Sequence, residues 1–303
     1  MKRFSRLLLD TMETDADVVV LDADLSRSSG SAAVAARWPD RFVNTGIAEQ
    51  NTMGVAAGMA LMGRRPIVHT FAAFATMRAC EQIRTSIAYQ GLNVTICASK
   101  GGLAASRSGP THHATEDLAM MRAIPGMTVL APRDFRDLTA AFPEVLARPG
   151  PAYVRIPPEQ EPDDPTGSVP PVGAGILLEE GTDVVLVFTG SMTRTVRESA
   201  RRLGARGFDV GIAYLPSVKP IDENLIENCA GTARLVVTVE EHNVIGGLGS
   251  AVAEVLSARG SAPLLRLGVQ DRFCYASGTH EEMVDAYCVS VDELVRQVME
   301  RSR

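Results

Sequence analysis

The stretch whose reading decides the fold is Asn44-Thr-Gly-Ile-Ala-Glu-Gln-Asn-Thr-Met-Gly-Val-Ala-Ala-Gly-Met-Ala60, preceded by the short run Arg41, Phe42, Val43. It reads as a strand end, a turn and a helix. Gly46 permits the tight turn, and Glu49 falls in the first helical turn, where the helix dipole favours a carboxylate. Gly54, Ala56, Ala57, Gly58 and Ala60 keep that helix slim. Glycine weakens a helix interior, so its presence points to close approach by another backbone or by a ligand. Taken alone, the stretch is an acid at the start of a packing helix.

Outward from this stretch the pattern repeats. Val18-Val-Val-Leu-Asp22 is a continuously apolar run of the kind that forms a strand buried on both faces. Further strands are expected near 41–44, 66–70, 93–98, 128–131 and 152–156, alternating with helices near 49–62, 76–89, 115–123 and 135–147. Such alternation, with β-branched strands, predicts an α/β fold: a mostly parallel sheet with helices on both faces. The Pro- and acid-rich segment 157–172 breaks the pattern and reads as an extended linker. The alternation then resumes on a smaller scale. Two α/β domains are therefore expected, at 1–156 and 173–303.

Length and composition agree with this reading. A chain of 303 residues, 46% hydrophobic and 22% charged, can bury two cores. The net charge of −6 argues against nucleic acid or an anionic membrane surface as the main partner. No apolar run is long enough to span a membrane, and the first six residues lead into an amphipathic helix, so a cytoplasmic protein is expected. The five cysteines, at 80, 97, 229, 274 and 288, are widely spaced and form no CxxC pair, which predicts free thiols and no metal site built on them.

Ligands of open parallel sheets bind at the carboxyl ends of the strands. Four such ends carry chemistry here. The first strand leads to Asp24 and to the hydroxyls of Ser26, Ser28 and Ser29, and the second to Glu49. The third leads to Phe71 and Phe74, and the fourth to a long loop with Lys100, Arg107, Ser108, His112 and His113. Acid, aromatic wall, cations and imidazole on one rim make a site for an anionic, partly aromatic ligand.

These residues also carry a resemblance. Gly46-Ile-Ala-Glu-Gln-Asn51, Thr70-Phe-Ala-Ala-Phe74, Glu81-Gln-Ile-Arg84, Gly109-Pro-Thr-His112 and Thr128-Val-Leu-Ala-Pro132 resemble the pyrimidine-binding domain of transketolases. Pro216-Ser-Val-Lys-Pro-Ile-Asp222 and Val239-Glu-Glu-His-Asn-Val-Ile-Gly-Gly-Leu-Gly249 resemble that family's C-terminal domain. The whole chain is similar to the C-terminal subunit of split bacterial transketolases. The resemblance implies a thiamine diphosphate enzyme that moves a two-carbon ketol unit from a ketose to an aldehyde. It makes Glu49 the carboxylate on N1′ of the aminopyrimidine, which needs a proton-sharing acid. It makes Phe71 and Phe74 the pyrimidine wall, Asp24 an acid near the cofactor, and His112 a catalytic imidazole that meets substrate oxygens. Ser28 and Arg155 match groups at the substrate's anionic end.

The family holds the diphosphate through Mg2+ in a domain with a GDG motif, and no such motif occurs here. The resemblance therefore implies a partner, an N-terminal subunit carrying the diphosphate and magnesium site, in a dimer of heterodimers. This sequence also departs from the family. Lys100 stands where the family has His, and Ser106-Arg107-Ser108 where it has Gly-Glu-Asp. Lys100, Arg107 and Ser108 should make the substrate channel more positive and favour a non-standard, more anionic sugar. Two alternatives remain at this point: the β subunit of a 2-oxoacid dehydrogenase E1 component, or a non-catalytic assembly partner.

Overall fold

The computed structural model describes residues 2–259 and 262–302; Met1, Gly260, Ser261 and Arg303, which fall within the two expected domains, lie outside. In chain order the helices are α1 (Arg3–Thr14), α2 (Ser26–Ser29), α3 (Ala32–Arg37), α4 (Glu49–Leu61), α5 (Cys80–Gln82), α6 (Asp117–Ala123), α7 (Phe135–Ala147), α8 (Thr193–Gly204), α9 (Glu223–Thr232), α10 (Leu248–Arg259), α11 (His280–Tyr287) and α12 (Val291–Arg301). The strands are β1 (Val18–Asp22), β2 (Phe42–Asn44), β3 (Arg65–Phe71), β4 (Thr95–Ser99), β5 (Thr128–Leu130), β6 (Ala152–Arg155), β7 (Ile176–Glu179), β8 (Val184–Phe188), β9 (Val210–Tyr214), β10 (Ser217–Lys219), β11 (Leu235–Asn243) and β12 (Leu264–Val269).

They form a seven-stranded sheet, order β10-β5-β6-β4-β3-β1-β2, and a five-stranded sheet, order β12-β11-β8-β9-β7. Pairing is parallel except at β10 with β5 and β7 with β9. β1 and β8 are buried along their whole length, as strands covered on both faces must be. The first sheet is sandwiched between two apolar clusters, one holding Leu21, Met53, Val68 and Ile96, the other Leu8, Val20, Ile67 and Phe142. The fold is thus the expected α/β pair of mostly parallel sheets.

Three features differ from the sequence reading. The helix expected over 76–89 is not a continuous α-helix, because π-helical stretches at Phe74–Arg78 and Ile83–Ala88 flank Cys80–Gln82. π-turns widen the helix and occur often at functional sites. The chain after β9 also leaves the second sheet, and β10 pairs antiparallel with β5 at the edge of the first. Lys219 Nζ secures that crossing by donating to the carbonyls of Arg122 and Ile124 at 2.8 and 2.6 Å. Finally, the segment read as a linker is pinned down. Asp164 is ion-paired with Arg133 and Arg197, and Arg3 with Asp163.

Candidate active site

Asn44 ends β2 and organises the turn that presents Glu49. Its Oδ1 accepts from the Gly46 and Asp24 N–H groups at 2.9 and 3.2 Å, and its Nδ2 donates to Asp24 Oδ1 at 3.1 Å. Asp24 and Glu49 are therefore tied through one amide. Glu49 is 2% exposed, and its Oε2 accepts from Arg78 at 2.7 Å. Oε1 has no hydrogen-bond partner among the described residues. Arg78, on the first π-helical stretch, is half-exposed and lies 4.3 Å from the Phe74 ring centroid. The rings of Phe71, Phe74 and His112 meet at centroid distances of 5.2 to 6.2 Å, with His112 edge-on to both phenylalanines. A buried carboxylate with one spare oxygen, beside two aromatic rings, fits a protonated or imino nitrogen heterocycle with an apolar face.

Next to this face opens a cleft of about 890 Å³. Ser28, Phe71, Lys100, Arg107 and Ser108 line it, so the structure brings together most of the expected substrate residues. Phe71 belongs to both regions, and Lys100 Nζ sits 5.5 Å from its ring centroid. Burial, together with the nearby Lys2 ammonium, lowers the Lys100 pKa. Lys2, Lys100 and Arg107 make no ion pair among the described residues. Of the acids at the cleft, Glu159 accepts the Arg3 N–H at 2.8 Å and Glu281 is paired with Arg194 at 2.6 Å. Burial pushes Glu161 up to about 7. With Glu281 neutralised by Arg194, the cations Lys2, Lys100 and Arg107 outnumber the remaining carboxyls Glu159 and Glu161, so the cleft carries an excess of positive charge.

Backbone strain marks the same loops. Asp24, Lys100 and Ser106 have φ of 61°, 57° and 49°, conformations that cost a non-glycine residue about 1–3 kcal/mol.

Arg155 is a correction. Expected at the substrate's anionic end, it is instead a buried tie between the two sheets. Its Nε donates to Asp117 Oδ2 at 2.8 Å, and its Nη2 donates to Asp117 Oδ1 and to the Ala114 carbonyl. Nη1 donates to the Glu241 carbonyl at 3.0 Å. Burial by itself would raise the Asp117 carboxyl, but the guanidinium outweighs it and holds the group below the usual carboxylate range. With every nitrogen engaged inside the protein, Arg155 has no fork left for a substrate.

Several residues at the site escaped the sequence reading. Arg78 gave no signal because its partner lies 29 positions away. His69, which lines the cleft, sits between Asp22 Oδ2 and Ser99 Oγ at 3.2 Å each and packs on the Phe4 ring at 5.2 Å. His69 stands two positions before Phe71 on β3 and so shares the strand face that reaches the cleft. Lys2, Arg194 and His280 reach the cleft only through tertiary folding. Among the described residues, no three or more His, Cys, Asp or Glu side chains gather as a metal site. No helix among the described residues is long and apolar enough to cross a membrane either.

Comparison with known proteins gives the same picture. Residues 2–161 match the transketolase pyrimidine-binding domain family, and residues 173–294 match the transketolase C-terminal domain family. The chain is 40% identical to the 6-deoxy-6-sulfo-D-fructose transketolase subunit of a Clostridium species, covering 97% of this chain and 91% of that one. It is 36% identical to a putative transketolase C-terminal section of Methanocaldococcus jannaschii, covering 100% and 96%. A solved split-gene transketolase, in an inactive β4 tetramer, superposes with a TM-score of 0.85 at 40% identity over 98% of this chain and 96% of that one.

Proposed function

This chain belongs to the transketolase family, and from that premise we propose that it is the C-terminal subunit of a two-chain transketolase that moves a ketol unit from an anionic ketose to an aldehyde. The observation that carries the proposal is the exposed face of α4, the helix that Glu49 opens. Ile47, before the helix, is 76% exposed and Met62, at its far end, 83%, and between them Gly54 and Gly58 have open space where a side chain would stand. An apolar surface of this kind, beside a buried acid, fits a partner subunit that would bring the diphosphate and Mg2+ site and form a dimer of heterodimers in the cytoplasm.

When bound there, thiamine diphosphate supplies the carbon that takes up the two-carbon unit. This chain's residues do the rest of the work assigned to them. Glu49 Oε1 would accept a hydrogen bond from a protonated N1′ of the aminopyrimidine. Phe71 and Phe74 shield the ring from water, and Asp24 buttresses the turn that aims Glu49. His112, edge-on to both rings, would meet a substrate oxygen and move its proton. Ser28, Lys100, Arg107 and Ser108 hold the far end of the sugar, where two ammonium groups and a guanidinium favour a phosphate or sulfonate. The sulfosugar name of the Clostridium relative makes the sulfonate a specific candidate.

The test is reconstitution. The chain is mixed with its N-terminal subunit, thiamine diphosphate and Mg2+, then assayed with 6-deoxy-6-sulfofructose, fructose 6-phosphate and unmodified fructose as donors. Ketol transfer is expected only with both chains and only from the two anionic donors. Decarboxylation of a 2-oxoacid without ketol transfer would move the chain to the E1 β-subunit reading, and an assembled but inert pair to a purely structural one.

A further inference from the structure

The loop between β4 and α6 carries Lys100, Arg107 and His112, yet its supports come from the second sheet. Leu103 is fully buried in the apolar cluster of that sheet, with Phe188 and Val239. The Leu103 N–H donates to Glu241 Oε1 at 2.5 Å. The same oxygen accepts from His280 Nε2 at 2.9 Å, and His280 lines the cleft. Beside Leu103, Gly102 has φ +58°, and a Cβ on it would come within 2.7 Å of the Glu241 carbonyl and 2.6 Å of Oε1. Only glycine lets the loop lie this close to β11. Gly102 and Ala114 exchange backbone bonds of 2.9 and 2.8 Å, which close the neck of the loop.

The loop is therefore held at its base by one buried carboxylate of the second sheet, beside the Arg155 bond to the Ala114 carbonyl. Glu241 bonds neither Glu49 nor Lys100 nor Arg107, and a buried acceptor that serves two donors fixes them more rigidly than either alone. We infer that Glu241, oriented by His280, is a positioning residue through which the second domain sets the substrate loop and thereby the affinity for the ketose. Its effect on substrate rests on the function proposed above, whereas its effect on the loop does not.

The experiment has two arms. In the chain alone, hydrogen exchange of the backbone amides at 101–113 is compared in wild type, Glu241→Gln and Glu241→Ala. Exchange in the loop should quicken by about tenfold or more once the charged acceptor is lost, while the amides of α4 stay as they are. In the reconstituted pair, Glu241→Ala should raise KM for the anionic ketose by about tenfold, with kcat and the thiamine diphosphate requirement within about twofold. His280→Gln, which keeps an N–H donor, should stay close to wild type. Unchanged loop exchange in both Glu241 variants, or equal quickening in the loop and in α4, would overturn the inference. A wild-type pair that transfers no ketol unit would instead count against the proposed function, and the exchange arm would still decide the role of Glu241.

Discussion

Two arginines make the most useful comparison in this molecule. Arg78 is half-exposed on a π-helical turn and makes one ion pair, with Glu49. Arg155 is buried at a strand end and uses all its nitrogens on Asp117, Ala114 and Glu241. The first stands on an open face, where a carboxylate has an oxygen to spare and apolar side chains meet solvent. The second sits in a closed seam between two sheets. A guanidinium whose donors are already satisfied inside the protein is a staple, while one that is half-exposed beside a buried acid keeps donors free to meet another molecule. Motif and strand position are alike for functional and structural arginines, and only the partners separate them.

The sharpest way to break the comparison is on the open face. Glu49→Gln should lower kcat of the reconstituted enzyme by about 100-fold or more, the range of general acid–base catalysis, with unchanged thermal stability. Steady-state kinetics and a melting curve on the same preparation check this. In the seam the expectation is reversed. Arg155→Ala leaves Asp117 buried and unpaired, so it should cost about 3 kcal/mol of stability, as broken buried pairs do. Chemical denaturation measures that loss, and a variant that melts normally but binds the ketose poorly would return Arg155 to the substrate site.

Between these extremes lies the cleft. Lys100→Ala and Arg107→Ala should each raise KM for an anionic donor by about tenfold, roughly the value of one charge-assisted hydrogen bond, and leave any slow reaction of a neutral ketose unchanged. Equal effects on charged and neutral donors would show that these cations shape the loop and do not read the anion.

The smallest effect concerns pH. The Glu241 carboxylate, above all, raises the His280 pKa above its ordinary value, and Glu161 and Arg194 also face the imidazole. A raised histidine pKa gives stability that is full below the unfolded value of about 6.5 and is lost as pH rises through the folded value. The melting temperature of wild type should therefore exceed that of His280→Gln by about 2 °C near pH 6, with the gap shrinking toward pH 9. A gap that widens with pH would contradict the pairing.

Much of this was legible in the chain itself. Continuous apolar runs such as Val18–Leu21 gave the parallel strands, and the corner at Gly46 placed Glu49 on a helix start, because both are local consequences of sequence. Phe71 and Phe74 could be paired by their spacing, as could the cations of the loop after β4. What stayed hidden depends on distant partners. Nothing near Arg155 announces Asp117, which lies 38 positions away. Nothing near Leu103 announces Glu241, 138 positions away. The crossing of β10 into the first sheet is likewise invisible, since Ser217–Lys219 is short and its partner strand lies far upstream. The π-helical turns under Phe74 and Arg78 have the composition of an ordinary helix, and only packing against α4 and α6 distinguishes them.

Under the function proposed above, the Glu49 face is half of a cofactor site. The most direct measurement is calorimetric titration of thiamine diphosphate with Mg2+ into this chain alone, into the N-terminal subunit alone, and into the mixed pair, with wild type and Glu49→Ala. No measurable binding is expected by this chain alone, with tight binding by the pair and binding weakened by about tenfold or more in the Glu49→Ala pair. Tight binding by this chain alone, or a pair indifferent to Glu49→Ala, would contradict that reading.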